Sequence, residues 1–411
     1  MRKLIYLVIP FFLLCAQEET IDNLKKIVVN IGKLDFKSAV PVKYLDNKEL
    51  QKYVEILFEK EYPKELVEKE ELFIKLMGFV DSQAKVDLKE ERKKIFIANA
   101  AGLYNEKNGE LFALEEYRDI NYINALYIIH ELRHAIQDQY FDLSKLLDAC
   151  TPSDFDDRRI ALIAAVEGDA TMVMSQYGEL DPETLTATHG ADALLSFSPI
   201  AGSARVANAP DVLKYQLTMP YIEGLNFVNY IYKKKNWKGV NKILLTPPVS
   251  TEQILHPGKY LKKELPLIVD ILYKPAGCTL YHSGVIGEYY LNVLLQTKDS
   301  LMDFAVGWGG DRFEIYKNSI QTSYFLIWES LWDADEYCSN FYQVFRDFIE
   351  SKYKVNFQEG KVKGRAFGAG KSTSGAVTDY FFISKMKNRI FYVRSNDRNQ
   401  INSFIEGGNY D

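Results

Sequence analysis

The chain has 411 residues, enough for two or three domains, and its 47% apolar content excludes wholesale disorder. Fifty basic side chains stand against 56 acidic ones, a net charge of −6. No basic stripe stands out, so nucleic acid is not expected as a partner.

Residues 1–16 read as a signal peptide. Arg2 and Lys3 form the charged start, and residues 4–14 are an apolar run too short to span a bilayer as a stable helix. The leader predicts export to the periplasm, the cell envelope or the medium. Cys15 is a candidate lipidation site, which would anchor the mature chain to a membrane. Cys150, Cys278 and Cys338 remain, an odd count for an exported protein. One disulfide between Cys278 and Cys338 would leave Cys150 free.

Residues 17–93 are rich in Lys and Glu and read as an N-terminal helical region. Asp46 or Asn47 caps a helix carrying Leu50, Tyr53, Val54, Leu57 and Phe58 on one face, and Pro63 opens another. From residue 94 the character changes. Ile95, Phe96 and Ile97 suggest a strand, and residues 105–109, ending in Asn-Gly, suggest the turn of a β-hairpin. An edge strand of that hairpin would offer main-chain hydrogen bonds to an extended peptide.

The stretch that organises the rest follows. His130, Glu131 and His134 spell H-E-x-x-H on a helix expected over residues 121–141. Positions i and i+4 share one helix face, so both imidazoles can bind one Zn2+ ion, about 2.0–2.1 Å from each nitrogen. Glu131, next to the first ligand, reaches a water at the metal rather than the metal itself. Leu126, Ile128, Ile129, Leu132, Ala135 and Ile136 flank the pair, so the helix is mostly buried, and buried His and Glu need partners. Asp138 lies one turn beyond His134 and is a candidate to orient an imidazole.

Ser153, with Asp156 three residues on, marks the start of a second apolar helix, interrupted by Glu167 and Asp169. Glu167 is the candidate third ligand. Asp169, two residues on, points to another face. Residues 186–220 read as a long loop, with Pro220 opening a helix that carries Tyr221, Leu225, Val228 and Tyr232. Ser250 caps a short turn ending before Pro257. That turn fixes His256, and His256 or a nearby Tyr is a candidate to stabilise the oxyanion of amide hydrolysis. Residues 94–260 thus form the expected core.

Residues 261–411 form a C-terminal α+β region. A helix is expected over 284–295 and another over 334–353. Strands are expected at 313–317 and 324–328, with a final hairpin from 381–383 and 390–394. Residues 368–373 resemble a phosphate loop only superficially, because Arg365 stands where that pattern needs Gly. No G-x-S-x-G is present. The expected class is α+β.

His130-Glu131-x-x-His134 with a Glu on a following helix resembles the gluzincin zinc metallopeptidases. The resemblance implies a zincin-like core with His130, His134 and Glu167 as ligands and Glu131 as base. Ala135 and Asp138 also match the thermolysin-like run, although Thr171 stands where that branch has Asp. The chain is more similar to a group of exported bacterial proteins over residues 130–139, 167–170, 250–257 and 307–312. Two classes of function fit these residues. One is an exported zinc metallopeptidase acting on a peptide or protein through a metal-activated water, with cell-wall or lipoprotein processing as a variant. The other is a non-catalytic exported binding protein, its metal closed off by His256 as fourth ligand.

Overall fold

The computed structural model describes residues 20–99, 102–186, 209–296, 303–362, 365–374 and 377–407. The expected leader, Cys15 and most of the expected loop after Thr186 lie outside the described residues. The chain is an α+β protein. Its first part holds α1 (Ile21–Gly32), β1 (Val42–Leu45), α2 (Asn47–Glu61), α3 (Lys64–Met77) and α4 (Leu88–Asn99). Asp46 caps α2 as expected. Its Oδ1 accepts from the Lys48 and Glu49 N–H groups at 2.8 Å each, and Glu49 returns the bond at 3.0 Å.

Ile95 and Ile97 are helical, not extended. Asp87 Oδ1 accepts the Glu90 N–H at 2.9 Å, and this cap plus a Glu/Lys-rich run carries α4 through them. The boundary drawn at residue 93 therefore cuts a helix. The hairpin follows as β2 (Gly102–Asn105) and β3 (Glu110–Leu114). β1 pairs in parallel with β3, so the three-stranded sheet has the order β1-β3-β2 and β2 is an edge.

Next come α5 (Tyr122–Phe141), α6 (Leu143–Asp148), α7 (Asp157–Tyr177), α8 (Pro182–Thr186) and α9 (Asp211–Val240). α9 begins ahead of Pro220, which is buried inside it and leaves only the Gln216 carbonyl without its helical partner. Pro220 is therefore not a helix start. α9 breaks at Asn236 (φ 50°, ψ −165°). Two short helices complete this half, α10 (Thr251–Leu255) and α11 (Pro257–Lys262).

The C-terminal half holds β4 (Cys278–Gly284), α12 (Gly287–Leu295), β5 (Trp308–Asn318), β6 (Tyr324–Trp332), α13 (Asp335–Tyr353), β7 (Gln358–Val362), β8 (Arg365–Ser374), β9 (Val377–Met386), β10 (Arg389–Ser395) and α14 (Arg398–Gly407). Its antiparallel sheet runs β4-β5-β6-β10-β9-β8-β7. Side chains alternate between its faces, as strand geometry requires. Trp328, Ile383 and Tyr392 join the main core under α13 and Phe313 joins it against Phe73 of α3, while Phe325, Phe382, Phe391 and Val393 pack under α14. Cys278 lies with the second cluster and Cys338 with the first, on opposite sides of the sheet. The expected disulfide is absent, and Cys150, Cys278 and Cys338 are free thiols. Residues 368–373 lie within β8.

Buried Arg394 ties this sheet to the first part of the chain. It reaches the Lys75 and Leu76 carbonyls at the end of α3, at 3.1 and 2.9 Å, and pairs with Asp379. Asp311 does the same work at a second junction. It accepts the Ile286 and Gly287 N–H groups at 3.0 Å each, and the indoles of Trp308 and Trp328 at 3.1 and 2.7 Å. The Gly-Trp-Gly-Gly-Asp-Arg stretch is thus a structural knot. At Gly310 a Cβ would meet the Leu267 carbonyl oxygen at 2.1 Å.

Candidate metal centre

α5 and α7 place the three predicted ligands together. Asn121 caps α5 through a bond from the Asn124 N–H at 2.9 Å, and Asp156 caps α7 through the Arg159 N–H at 3.3 Å. His130 Nε2 lies 3.0 Å from His134 Nε2 and 3.0 Å from Glu167 Oε2, and His134 Nε2 lies 3.5 Å from that oxygen. Atoms bound to one tetrahedral zinc at about 2.05 Å would stand about 3.3 Å apart. Two imidazoles and a carboxylate at that spacing fit a zinc ion. His130 and His134 are buried and Glu167 nearly so.

The hydrogen bonds behind His134 fix its tautomer. Gln137 Nε2 donates to the Val166 carbonyl at 2.9 Å and to Asp169 Oδ2 at 2.8 Å. Both partners are acceptors, so the Gln137 amide oxygen faces His134 Nδ1, at 2.8 Å. Nδ1 must therefore carry a proton, which leaves Nε2 to bind a cation. Asp169 is held in turn by Arg133, through Nε–Oδ2 at 3.0 Å and Nη2–Oδ1 at 3.0 Å. The residue that orients an imidazole is Gln137, not Asp138. Asp138 accepts the Tyr104 hydroxyl at 2.8 Å and the Leu143 N–H at 3.0 Å, and so builds the corner between α5 and α6.

Glu131 is partly exposed at the cleft, and its Oε2 accepts the Tyr104 N–H from edge strand β2 at 2.7 Å. Burial raises its carboxyl above the ordinary value, although His134 and His130 pull the other way. Burial would raise Glu167 too, but His134 and His130 outweigh it and hold that carboxyl well below the usual range. Burial disfavours charge on His134, yet Glu167 lifts it to about 9. The cluster therefore favours one added positive charge.

Tyr221 completes the site. Its ring stacks on His130, centroids 6.0 Å apart and planes 27° apart, and its hydroxyl lies in the field of the Glu167 carboxylate. Burial, then the charges of Glu167 and Glu131, raise its pKa well above the ordinary value, so it stays a donor. It arrives there because α9 and α7 cross in backbone contact. A Cβ on Gly168 would lie 2.1 Å from the Gly224 carbonyl oxygen, and one on Gly224 would lie 2.2 Å from that of Ala164. Nothing local in the sequence marks that crossing.

The structure does not bring His256 to this cluster. His256 Nε2 bonds Glu288 Oε1 at 2.8 Å, and the charges acting on it are those of Glu288, Glu252 and Lys259. Ser250 does cap α10, through the Gln253 N–H at 3.3 Å, so the turn forms as expected but leads elsewhere. Among the described residues, a second convergence of ligand-type atoms joins Glu252, Glu264 and Asp333, which already surround Lys259 Nζ at 2.6, 2.9 and 2.7 Å.

Residues 279–404, less than a third of the chain, match a domain family of unknown function, DUF8575. They span the C-terminal sheet and its helices, not the candidate ligands His130, His134 and Glu167. No curated protein matches the chain. A crystal structure from Chloroflexus aurantiacus, provisionally named a hydrolase with a novel fold, aligns with a TM-score of 0.37 at 18% identity, over 59% of this chain and 87% of that one.

Proposed function

We propose that the chain is an exported zinc-dependent metallopeptidase of gluzincin type. The observation that carries this reading is the convergence of His130, His134 and Glu167 with Glu131 beside them. Three protein ligands leave a fourth position for water, as catalytic zinc sites do. Zinc there would supply the Lewis acidity that makes water a nucleophile at neutral pH. Glu131, its basicity raised by burial, takes the proton from the attacking water and passes it to the leaving amine. The Tyr221 hydroxyl, kept protonated, would donate to the oxyanion as it forms, the role the sequence suggests for His256. Gln137 and Asp169 keep the His134 Nε2 lone pair aimed at the metal. The Tyr104 N–H steadies Glu131, and Asp138 holds Tyr104. A closed, non-catalytic site loses its support, because its only candidate fourth ligand, His256, is held by Glu288.

The test is metal analysis of the mature protein coupled to a peptide-library digest, with and without chelator. Stoichiometric zinc and chelator-sensitive cleavage are expected. Zinc-loaded protein that cuts nothing would reject the reading.

A further inference from the structure

Two turns beside α11 leave large apolar side chains in solvent. Leu245 is 65% exposed in the turn after α9, and Leu265, Leu267 and Ile268 are 69%, 49% and 85% exposed in the irregular segment after α11. The Tyr260 hydroxyl joins the two turns by donating to the Thr246 carbonyl at 3.0 Å. The second turn is held by its backbone. Gln253 Nε2 donates to the Glu264 carbonyl at 2.5 Å, and the Leu267 N–H donates to the Gly309 carbonyl at 2.6 Å. Fixed main chain thus displays these side chains to water. Lysines stand among them. Lys242 precedes Leu245, and Lys262 and Lys263 precede Leu265, all three exposed. Glu264, the acid between them, turns back to Lys259 Nζ at 2.9 Å.

We propose that this face docks on a membrane surface that carries anionic phospholipid. Side chains this exposed protrude from their turns and line no groove, and a bilayer interface takes protruding apolar groups without a matching cavity. Lysines interleaved with them suit phosphate headgroups, each adding attraction near an anionic surface. A second copy of the chain fits badly. A two-fold interface brings the same lysines of both copies together, and each copy carries a net charge of −6. Among the described residues no helix is long and apolar enough to cross a membrane, and the attachment proposed is to its surface. One acyl chain holds a protein only marginally, so this face would also supply the second attachment that an anchor at Cys15 needs. Docking here is independent of what the metal centre does.

The experiment is flotation of the mature chain, residues 17–411, with phosphatidylcholine vesicles prepared with and without phosphatidylglycerol. The wild type should float with the mixed vesicles and stay behind with phosphatidylcholine alone, and added salt should weaken its binding. Lys262→Glu with Lys263→Glu should lower the affinity by about twentyfold or more. Leu265→Ser with Ile268→Ser should lower it by about tenfold or more. Both double variants change exposed side chains and should keep the wild-type urea midpoint. A wild type that ignores the mixed vesicles, or binding that neither double variant moves, overturns the membrane surface. Binding unmoved by salt and by the lysine changes overturns the anionic partner. A wild-type dimer in sedimentation equilibrium that the serine changes dissolve, with no vesicle binding, gives the face to a second copy instead.

Discussion

The C-terminal sheet and the α5–α7 seam treat buried charge in opposite ways. Arg394 is buried in the sheet among acceptors, with Asp379, the Tyr353 hydroxyl and two α3 carbonyls around it. Asp311 accepts four N–H donors. In the seam, two imidazole nitrogens and a carboxylate oxygen instead turn toward one another within 3.0–3.5 Å. Buried polar groups that complement each other hold a fold together. Groups of like demand, crowded at one point, cost stability unless a ligand answers them. Arg133 and Asp169 stand beside that cluster as a buried pair whose carboxylate also steadies Gln137 and, through it, His134.

The largest test of this contrast is Glu131→Gln. The amide keeps the shape and holds the neighbouring ligands in place, but cannot take a proton. Cleavage should fall by about a hundred- to ten-thousandfold while bound zinc stays stoichiometric. Undiminished turnover with zinc present would break the assignment of the base. Arg394→Ala probes the other region. It leaves Asp379 buried without its cation and should cost about 3–5 kcal/mol in urea unfolding. Folded protein should still bind zinc with wild-type affinity. An unchanged unfolding midpoint would show that the sheet junction is not what secures the two halves.

His282 sharpens the contrast through pH. It lies in β4 edge-on to the stacked rings of Phe73 and Phe313, with Nε2 unpartnered. Burial, then Lys69, push its pKa down to about 4. A depressed histidine binds its proton more readily unfolded than folded. Its contribution is therefore intact above about pH 6.5 and is lost as pH falls toward 4. The loss should approach about 3 kcal/mol. Unfolding free energies from pH 7 to 4 should slope less steeply in His282→Leu than in the wild type. Parallel slopes would mean that the ring is protonated in the fold.

Local spacing carried the convergence of the three candidate ligands. An i, i+4 pair on a buried helix states its own geometry, and Glu167 stood out as a carboxylate in an apolar run. The C-terminal helices and final hairpin were legible for the same reason, since their periodicity matches their burial. What sequence could not show depends on contacts between distant elements. Tyr221 arrives through two glycines on separate helices. β1 joins β3 in parallel across sixty-odd residues of chain. Ile95 and Ile97 looked like a strand because a short apolar run is ambiguous until its cap, Asp87, is weighed. His256 failed because a rigid turn beside a proline says nothing about where the turn points.

Asp138 and Gln137 give the smallest and most pointed comparison, because they are adjacent and only one can orient His134. Gln137 bonds the imidazole directly, whereas Asp138 bonds Tyr104 and the start of α6. Gln137→Ala removes the acceptor that fixes the Nδ1 proton, so zinc affinity should fall about ten- to hundredfold. Asp138→Ala leaves every bond to the ligands in place. Its zinc affinity should match the wild type, and its defect should appear in urea unfolding, as β2 and α6 lose their shared post. Competition titrations with a zinc chelator at fixed pH separate the two variants. If Asp138→Ala weakens zinc as much as Gln137→Ala does, the corner between α5 and α6 belongs to the metal centre itself.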